Sequence, residues 1–277
     1  MSGYAEGVLT LLAVNIVLAY GAYLPMASGQ LNLGTAGFAA IGAYSSAVLS
    51  NHGLSPLLAV PAAALVAGGV GVVVAVPVLR TRGIYLALAT FALGQVVQAT
   101  LLNISFIGGA AGYPVTAYLN GFTVMAFAGG VVVFVFLLFA TRFGISVTAV
   151  HDDERVADLM GLNAWGFQVA AFTLGAGIAG IGGALYAHHF SFVEAQYFGI
   201  ALSISIVLFV VFGGTQTVLG PLAGAIVFTL LPELMRASAQ WRYIIFAAII
   251  IVMMVVRPQG LISGAQLRRM LGGGARV

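Results

Sequence analysis

The chain has 277 residues, 61% of them hydrophobic and only 6% charged, and its mean hydropathy is +1.11. A soluble domain carries about 25% charged residues, so this chain cannot cover a water-facing surface and is expected to sit in a membrane. Its formal charge of +3 rests on ten basic residues, all arginine, without the basic-aromatic clusters of a nucleic-acid binder, and it has no cysteine for disulfides or thiolate metal sites.

Apolar runs of about 20 residues recur along the chain. They do not alternate in polarity as barrel strands would, which makes the spans helical. The first expected span is 7–27; no basic segment precedes it, so it reads as a retained helix and not as a cleaved signal peptide. It ends at Pro25 and a polar break, 28–34. Helix is expected again over 35–50, followed by a short loop at Asn51 to Gly53 and Pro56. The next span runs to Leu79, with Pro61 in its first turns, where proline is tolerated. Arg80 and Arg82 end it. Span 84–104 leads into an uncharged, glycine-rich loop, 105–120, and span 121–140 follows.

Then comes the longest polar island, 142–163, which holds Asp152, Asp153, Glu154 and Asp158, four of the seven acidic residues of the chain. Charges cost several kcal/mol each in hydrocarbon, so the island lies outside the bilayer. Span 164–187 is dense in small residues: Ala176, Gly180 and Ala184 form one stripe, Ala179, Gly183 and Ala187 another. Such stripes let helices approach closely, and tight internal packing is the expectation here. A polar-aromatic link (188–199), a short apolar run (200–212), a second break (213–221) and another short run to Leu231 follow. The chain closes with a polar link (232–242), a last span (243–256) and a basic tail from Arg257 to Arg276. The expectation is an all-α, polytopic bundle of about eight to nine membrane segments with interrupted helices, one domain over 1–277.

Placing Arg80, Arg82, Arg142, Arg155 and the tail on one side makes the island cytoplasmic, with the N-terminus, 188–199 and 232–242 opposite. The two breaks share a Leu-Gly step, Leu33-Gly34 and Leu219-Gly220, at an offset of 186 residues. Both are expected to enter from the outer side and turn at depth, or else to be ordinary inter-helix turns. Interrupted helices in corresponding halves point to a transport path. Its candidates are Gln30, Asn32, Thr215, Gln216 and Thr217 in the breaks, with Gln95 and Gln98 at i, i+3 on one helix. The alternative is that these amides and hydroxyls satisfy backbone freed by the breaks. No acidic or basic residue falls mid-span, so energy for transport is expected from outside the chain.

Within the island, Asp152, Asp153 and Glu154 suit the start of a short helix, where the dipole favours negative charge. Val156, Leu159 and Met160 fall on one face, Gly161 suits its stop, and Asn163 can cap the following span. That apolar face needs a partner: membrane lipid, the bundle itself or another protein. His188, His189 and Glu194 lack the H-E-x-x-H spacing of a metal site and read as an outer link. There is no phosphate-binding G-x-x-x-x-G-K-[ST] loop, so ATP hydrolysis is not expected of this chain, nor does a nucleophile–base pair suggest an enzyme.

Residues 147–188, VTAVHDDERVADLMGLNAWGFQVAAFTLGAGIAGIGGALYAH, resemble the coupling segment and next span of branched-chain amino acid ABC-transporter permeases of the LivM-like branch. LNLGTAGFAAIGAYSSA (31–47), LRTRGIYLALATFALGQVV (79–97), VVFGGTQTVLGPLAGA (210–225), LLPEL (230–234) and RPQGL (257–261) match in order and spacing. The resemblance implies a multi-pass permease of a bacterial inner membrane, binding no cofactor itself. It implies a second, LivH-like permease, two cytoplasmic ATPases carrying ATP and Mg, and an extracytoplasmic solute-binding protein. The segment of Asp152, Asp153, Glu154, Arg155, Val156, Leu159 and Gly161 would then insert into an ATPase groove. The chain departs from that pattern at Thr148 and His151, where arginines are usual, and at Gln95 and Gln98, where Glu and Arg are usual. Branched-chain amino acids, urea, short amides and small aromatic or carboxylic acids all suit such a scaffold. A stand-alone transporter or channel for a small polar solute is the rival reading.

Overall fold

The computed structural model describes residues 3–234 and 260–262. The expected span 243–256, most of the link before it and the basic tail lie outside the described residues. Ten helices are described: α1 (Gly3–Ala27), α2 (Thr35–Asn51), α3 (Pro56–Val78), α4 (Ile84–Asn103), α5 (Gly121–Ala140), α6 (Arg142–Asp152), α7 (Glu154–Leu159), α8 (Ala164–Phe190), α9 (Ile200–Gly213) and α10 (Leu219–Leu234). Five of them, α1, α3, α4, α5 and α8, are long and apolar enough to cross a membrane, while α9 and α10 are shorter apolar helices. The protein is thus a multi-pass helical membrane protein.

Burial sorts these helices into centre and periphery. α1 and α8 bury 67% and 61% of their most apolar stretch, whereas α4 and α5 bury 22% each. Leu65 and Val73 on α3, Val96 on α4, and Val133 and Leu137 on α5 face outward and suit a lipid surround. Because lipid is as apolar as these side chains, helix association there depends on close packing more than on the hydrophobic effect. The small-residue stripes of α8 provide that packing. A Cβ on Gly42 of α2 would overlap the backbone of Gly180, and one on Gly183 would overlap the Ala39 carbonyl. A Cβ on Gly21 of α1 would lie 2.9 Å from the Ala179 nitrogen, and one on Gly180 2.5 Å from the Ala67 Cβ. α8 therefore meets α1, α2 and α3 nearly backbone to backbone, with Phe38 and Phe172 edge to face at 5.6 Å in the same seam.

On the side opposite the island the connections form a cap. Loop 105–120 contains two 3₁₀ turns and a strand, β1 (Tyr113–Pro114), paired antiparallel with β2 (Phe192–Val193). Asn51 holds this loop with three bonds: its Nδ2 donates to the Pro114 carbonyl at 2.8 Å, and its Oδ1 accepts from the Thr116 amide and hydroxyl at 3.0 and 2.9 Å. His188 proves to lie in the last turn of α8 and to be fully buried, not part of a solvated link. Its Nδ1 lies 2.8 Å from the Ala117 carbonyl, which can only accept, so Nδ1 carries the proton. Nε2 is then the acceptor for the Ser46 hydroxyl at 2.7 Å. His189 holds the Leu119 carbonyl through Nδ1 at 3.1 Å.

The breaks differ from expectation. α1 is 25 residues long, about 37 Å, enough to complete a crossing before it stops. Its stop is a Schellman turn: Gln30 N–H bonds the Pro25 carbonyl, Gly29 N–H bonds the Met26 carbonyl, and Gly29 has φ +82°. A Cβ on Gly29 would lie 3.6 Å from the His151 ring, which puts the turn on the island's side and not at depth from the outer side. The chain then climbs back: Leu33 N–H bonds the Thr90 hydroxyl at 3.0 Å, six residues or roughly 9 Å into α4.

The second break is built otherwise. α9 is only 14 residues long and ends where Gly214 adopts φ +115°. α10 resumes at Leu219, ahead of Pro221, which sits in its first turn where a missing N–H costs nothing. Residues 260–262 seat on this break, Leu261 and Ile262 N–H bonding the Phe212 and Gly213 carbonyls at 2.9 and 3.0 Å. The Tyr20 hydroxyl bonds the Val218 carbonyl at 2.9 Å and ties α1 to the same place.

Candidate coupling segment and solute path

The island folds as two helices, so the single helix expected from Asp152 onward is corrected. Asp152 ends α6, and Asp153, in an extended conformation (φ −157°, ψ 108°), breaks the chain direction and caps α7. One carboxylate oxygen of Asp153 accepts from the amides of Arg155 and Val156 at 2.9 and 3.1 Å. The other end of α7 is a second Schellman stop: Leu162 N–H bonds the Ala157 carbonyl, Gly161 N–H bonds the Asp158 carbonyl, and Gly161 has φ +83°. Asp158 Oδ1 accepts from the Ala164 amide at 3.0 Å, joining α7 to the first turn of α8, and Asn163 caps α8 through Gly166 N–H at 3.0 Å.

α7 is thus locked at both ends although it has only six residues. Ala157 faces inward and clusters with Val150, Ala164 and Phe167. Val156, Leu159 and Met160 turn away from the bundle, 53%, 87% and 79% exposed. Asp152 and Arg155 are exposed beside them, as are Thr148 and His151 on α6. Glu154 points the other way and pairs with Arg82 of the α3–α4 turn at 3.1 Å. That pair joins residues far apart in sequence and had no signature there.

The path candidates do not converge. Gln30 is buried at 3% exposure, on the island's side of the bundle. Asn32, equally buried, uses its Oδ1 to accept from Gly34 N–H at 2.8 Å, so it serves the freed backbone. Gln98 lies about 12 Å further along α4 than the Thr90 contact and donates to the Ala195 carbonyl of the outer cap at 3.1 Å. Gln95 is half-buried one turn below it. In the second break Thr217 bonds the Ile262 carbonyl at 3.1 Å, Thr215 is half-buried and Gln216 is exposed. His188 and His189 bond carbonyls of the outer cap, and among the described residues no group of three or more His, Asp or Glu is placed to hold a metal.

A multi-pass bundle of closely packed helices, with a helical island capped at both ends on one face, defines a polytopic membrane protein. Residues 4–256 match the family described as branched-chain amino acid transport system / permease component, and the chain belongs to that family. It is 30% identical to the high-affinity branched-chain amino acid transport system permease protein LivM of Escherichia coli K12, over 97% of this chain and 72% of the relative. It is 27% identical to the nucleoside ABC transporter permease protein NupC of Lactococcus lactis, over 59% of this chain and 60% of that protein. The LivH permease of E. coli is 22% identical over 47% of this chain and 42% of its own length. No solved structure matches the chain.

Proposed function

We propose that this chain is one permease subunit of an ATP-driven importer that carries branched-chain amino acids, or a closely related small solute, inward across the bacterial inner membrane. The observation that carries this reading is α7: a short helix fixed to α8 and the α3–α4 turn, with Val156, Leu159 and Met160 left uncovered. Apolar side chains that stand off a rigid support on the arginine-rich side have the form of a docking ridge for a cytoplasmic partner. ATP and Mg would be held by two partner ATPases, a second LivH-like permease would complete the pathway, and an extracytoplasmic binding protein would deliver solute. Family membership and the likeness to LivM support the amino-acid class.

Gln30, Asn32, Gln95, Gln98, Thr215, Gln216 and Thr217 remain the candidate solute contacts. They are spread from the cytoplasmic turn to the outer cap, which suits a path better than a single pocket. The likeness to NupC favours a second reading, nucleoside transport on the same scaffold. Reconstitution with the cognate partners tests both. ATP-dependent accumulation of L-leucine supports the first, accumulation of uridine alone supports the second, and accumulation of either without any ATPase would overturn the importer assignment.

A further inference from the structure

Where the end of α1, the α3–α4 turn and α7 meet, a cavity of about 140 Å³ opens on the cytoplasmic side. Gln30, Thr81, Arg82, Glu154 and Gln168 supply its polar lining, and Leu79 and Leu86 its apolar wall. Gln30 is 3% exposed, and neither its Nε2 nor its Oε1 has a hydrogen-bond partner. Its neighbours in the same turn are satisfied: Ser28 bonds the Pro25 carbonyl and Asn32 accepts from Gly34. Buried amides are nearly always paired, and the exception asks for an occupant. The cavity also holds one cation and one anion. Arg82 and Glu154 touch through a single N–O pair at 3.1 Å, which leaves further guanidinium N–H groups and the second carboxylate oxygen of Glu154 for another ligand.

We infer that this cavity is a cytoplasmic binding site for a small zwitterionic amino acid. The α-carboxylate would accept from Arg82 and the Gln30 Nε2, the α-ammonium would donate to Glu154 and the Gln30 Oε1, and a short aliphatic side chain would lie on Leu79 and Leu86. Charge-assisted bonds to both ends of the ligand select a zwitterion over a simple acid or amine. A cavity of about 150 Å³ takes a ligand of benzene size, so this one encloses the charged head of an amino acid with its side chain along the wall toward the opening, and it is too small for a nucleoside. An occupant would bridge α7 to the turns behind it and hold the docking ridge where it stands. Solute accumulated inside the cell would then slow its own uptake. The inference rests on the amino-acid reading of the solute.

The test uses the complete importer in proteoliposomes, with L-leucine added to the ATPase side. Uptake and ATP hydrolysis should fall together as internal leucine rises into the millimolar range, while isocaproate and isoamylamine, leucine without its ammonium and without its carboxylate, should have no effect. Gln168 completes the polar lining and would donate a further bond to the carboxylate; read as a ratio to uptake without internal leucine, Gln168→Leu should raise the half-inhibitory concentration about tenfold, as the loss of one hydrogen bond does. Gln30→Leu should remove inhibition. Inhibition by isocaproate or isoamylamine as strong as by leucine, or none by leucine, would overturn the site while leaving the importer reading intact. If leucine is not transported at all, that reading fails, and radiolabelled leucine binding to the permease pair without binding protein decides the site. Saturable binding lost in Gln30→Leu upholds it, and absence of binding refutes it.

Discussion

Asp153 offers the sharpest test of how the island works. Its carboxylate satisfies two amides at the start of α7, at 2.9 and 3.1 Å, from an exposed position. Isolated helices shorter than about 12 residues are marginal in water, and α7 has six. Its order therefore depends on the Asp153 cap, the Gly161 stop, the burial of Ala157 and the bonds of Asp158 and Glu154 to its neighbours. Replacing a capping Asp by Ala costs about 1 kcal/mol, within a range of about 0.5 to 2, and losing its charge at the helix start adds about 0.3 to 1. Asp153→Ala should therefore shift the ordering of α7 by about 1.5 kcal/mol, roughly tenfold in its equilibrium.

Asparagine caps as well as aspartate, so Asp153→Asn should lose only the charge contribution and remain within about threefold of the parent. Hydrogen exchange at the Val156 and Ala157 amides reads the helix directly, and should accelerate about tenfold in the Ala variant. Solute-stimulated ATP hydrolysis of the reconstituted importer reads the consequence, with membrane insertion of each variant checked alongside. The expected order is parent, Asn, then Ala. If Asn is as damaging as Ala, charge and not capping is what matters at this position. If Ala hydrolyses ATP like the parent, α7 order does not limit coupling, and the argument fails.

The seam of α8 makes a second prediction. Gly42→Ala forces a methyl into the Gly180 backbone and should cost about 1 to 3 kcal/mol or more, lowering the melting temperature in detergent, whereas Gly129→Ala, with nothing within 4 Å, should leave it unchanged. His188→Ala leaves the buried Ser46 hydroxyl and the part-buried Ala117 carbonyl without their partner, a loss of about 1 to 3 kcal/mol for the hydroxyl and less for the carbonyl. Protease added from outside should then cut within 105–120 in the variant and not in the parent. Leu159→Asp and Met160→Asp change side chains that are 87% and 79% exposed, so the melting temperature should hold. Association with the ATPases should weaken by about 2 kcal/mol, measured by co-purification against ATPase concentration.

The parts of this molecule that were legible in the sequence are those governed by local rules. Span ends fell within a few residues of the observed helices because hydrocarbon thickness and helix rise fix their length. The α8 stripes announced tight packing because small residues at every fourth position let neighbouring helices approach closely. Gly161 and Asn163 were readable as stop and cap for the same local reason. What could not be read depends on contacts distant in sequence. A strand of two residues such as β1 shows no alternation, and its partner is some eighty residues away. His188 looked like the start of a loop because polarity marks loops on average, while here a buried acceptor and donor receive it. The first break looked like a turn at depth because composition does not distinguish a polar turn at the surface from one inside. The length of α1 does.

The way α7 is fastened limits what a push on it can do. Asp158 holds the first amide of α8, Glu154 holds Arg82, and Gly29 lies under His151, so α7 cannot move without the start of α8 and both turns beside it. α8 in turn meets α1, α2 and α3 through glycines that leave no free space for sliding. Packing of that density shifts as a block, because intermediate positions clash. The second break is packed as closely: a Cβ on Gly213 would overlap the Gly220 carbonyl, one on Gly224 would overlap the Phe209 carbonyl, and one on Gly260 would lie 2.6 Å from the Gly214 Cα. Residues 260–262 are held there by three hydrogen bonds and by Leu261, which packs on the core. A force delivered at α7 would therefore turn α1, α2, α3 and α8 together, and it would reach α9 and α10 through Tyr20, whose hydroxyl bonds the Val218 carbonyl.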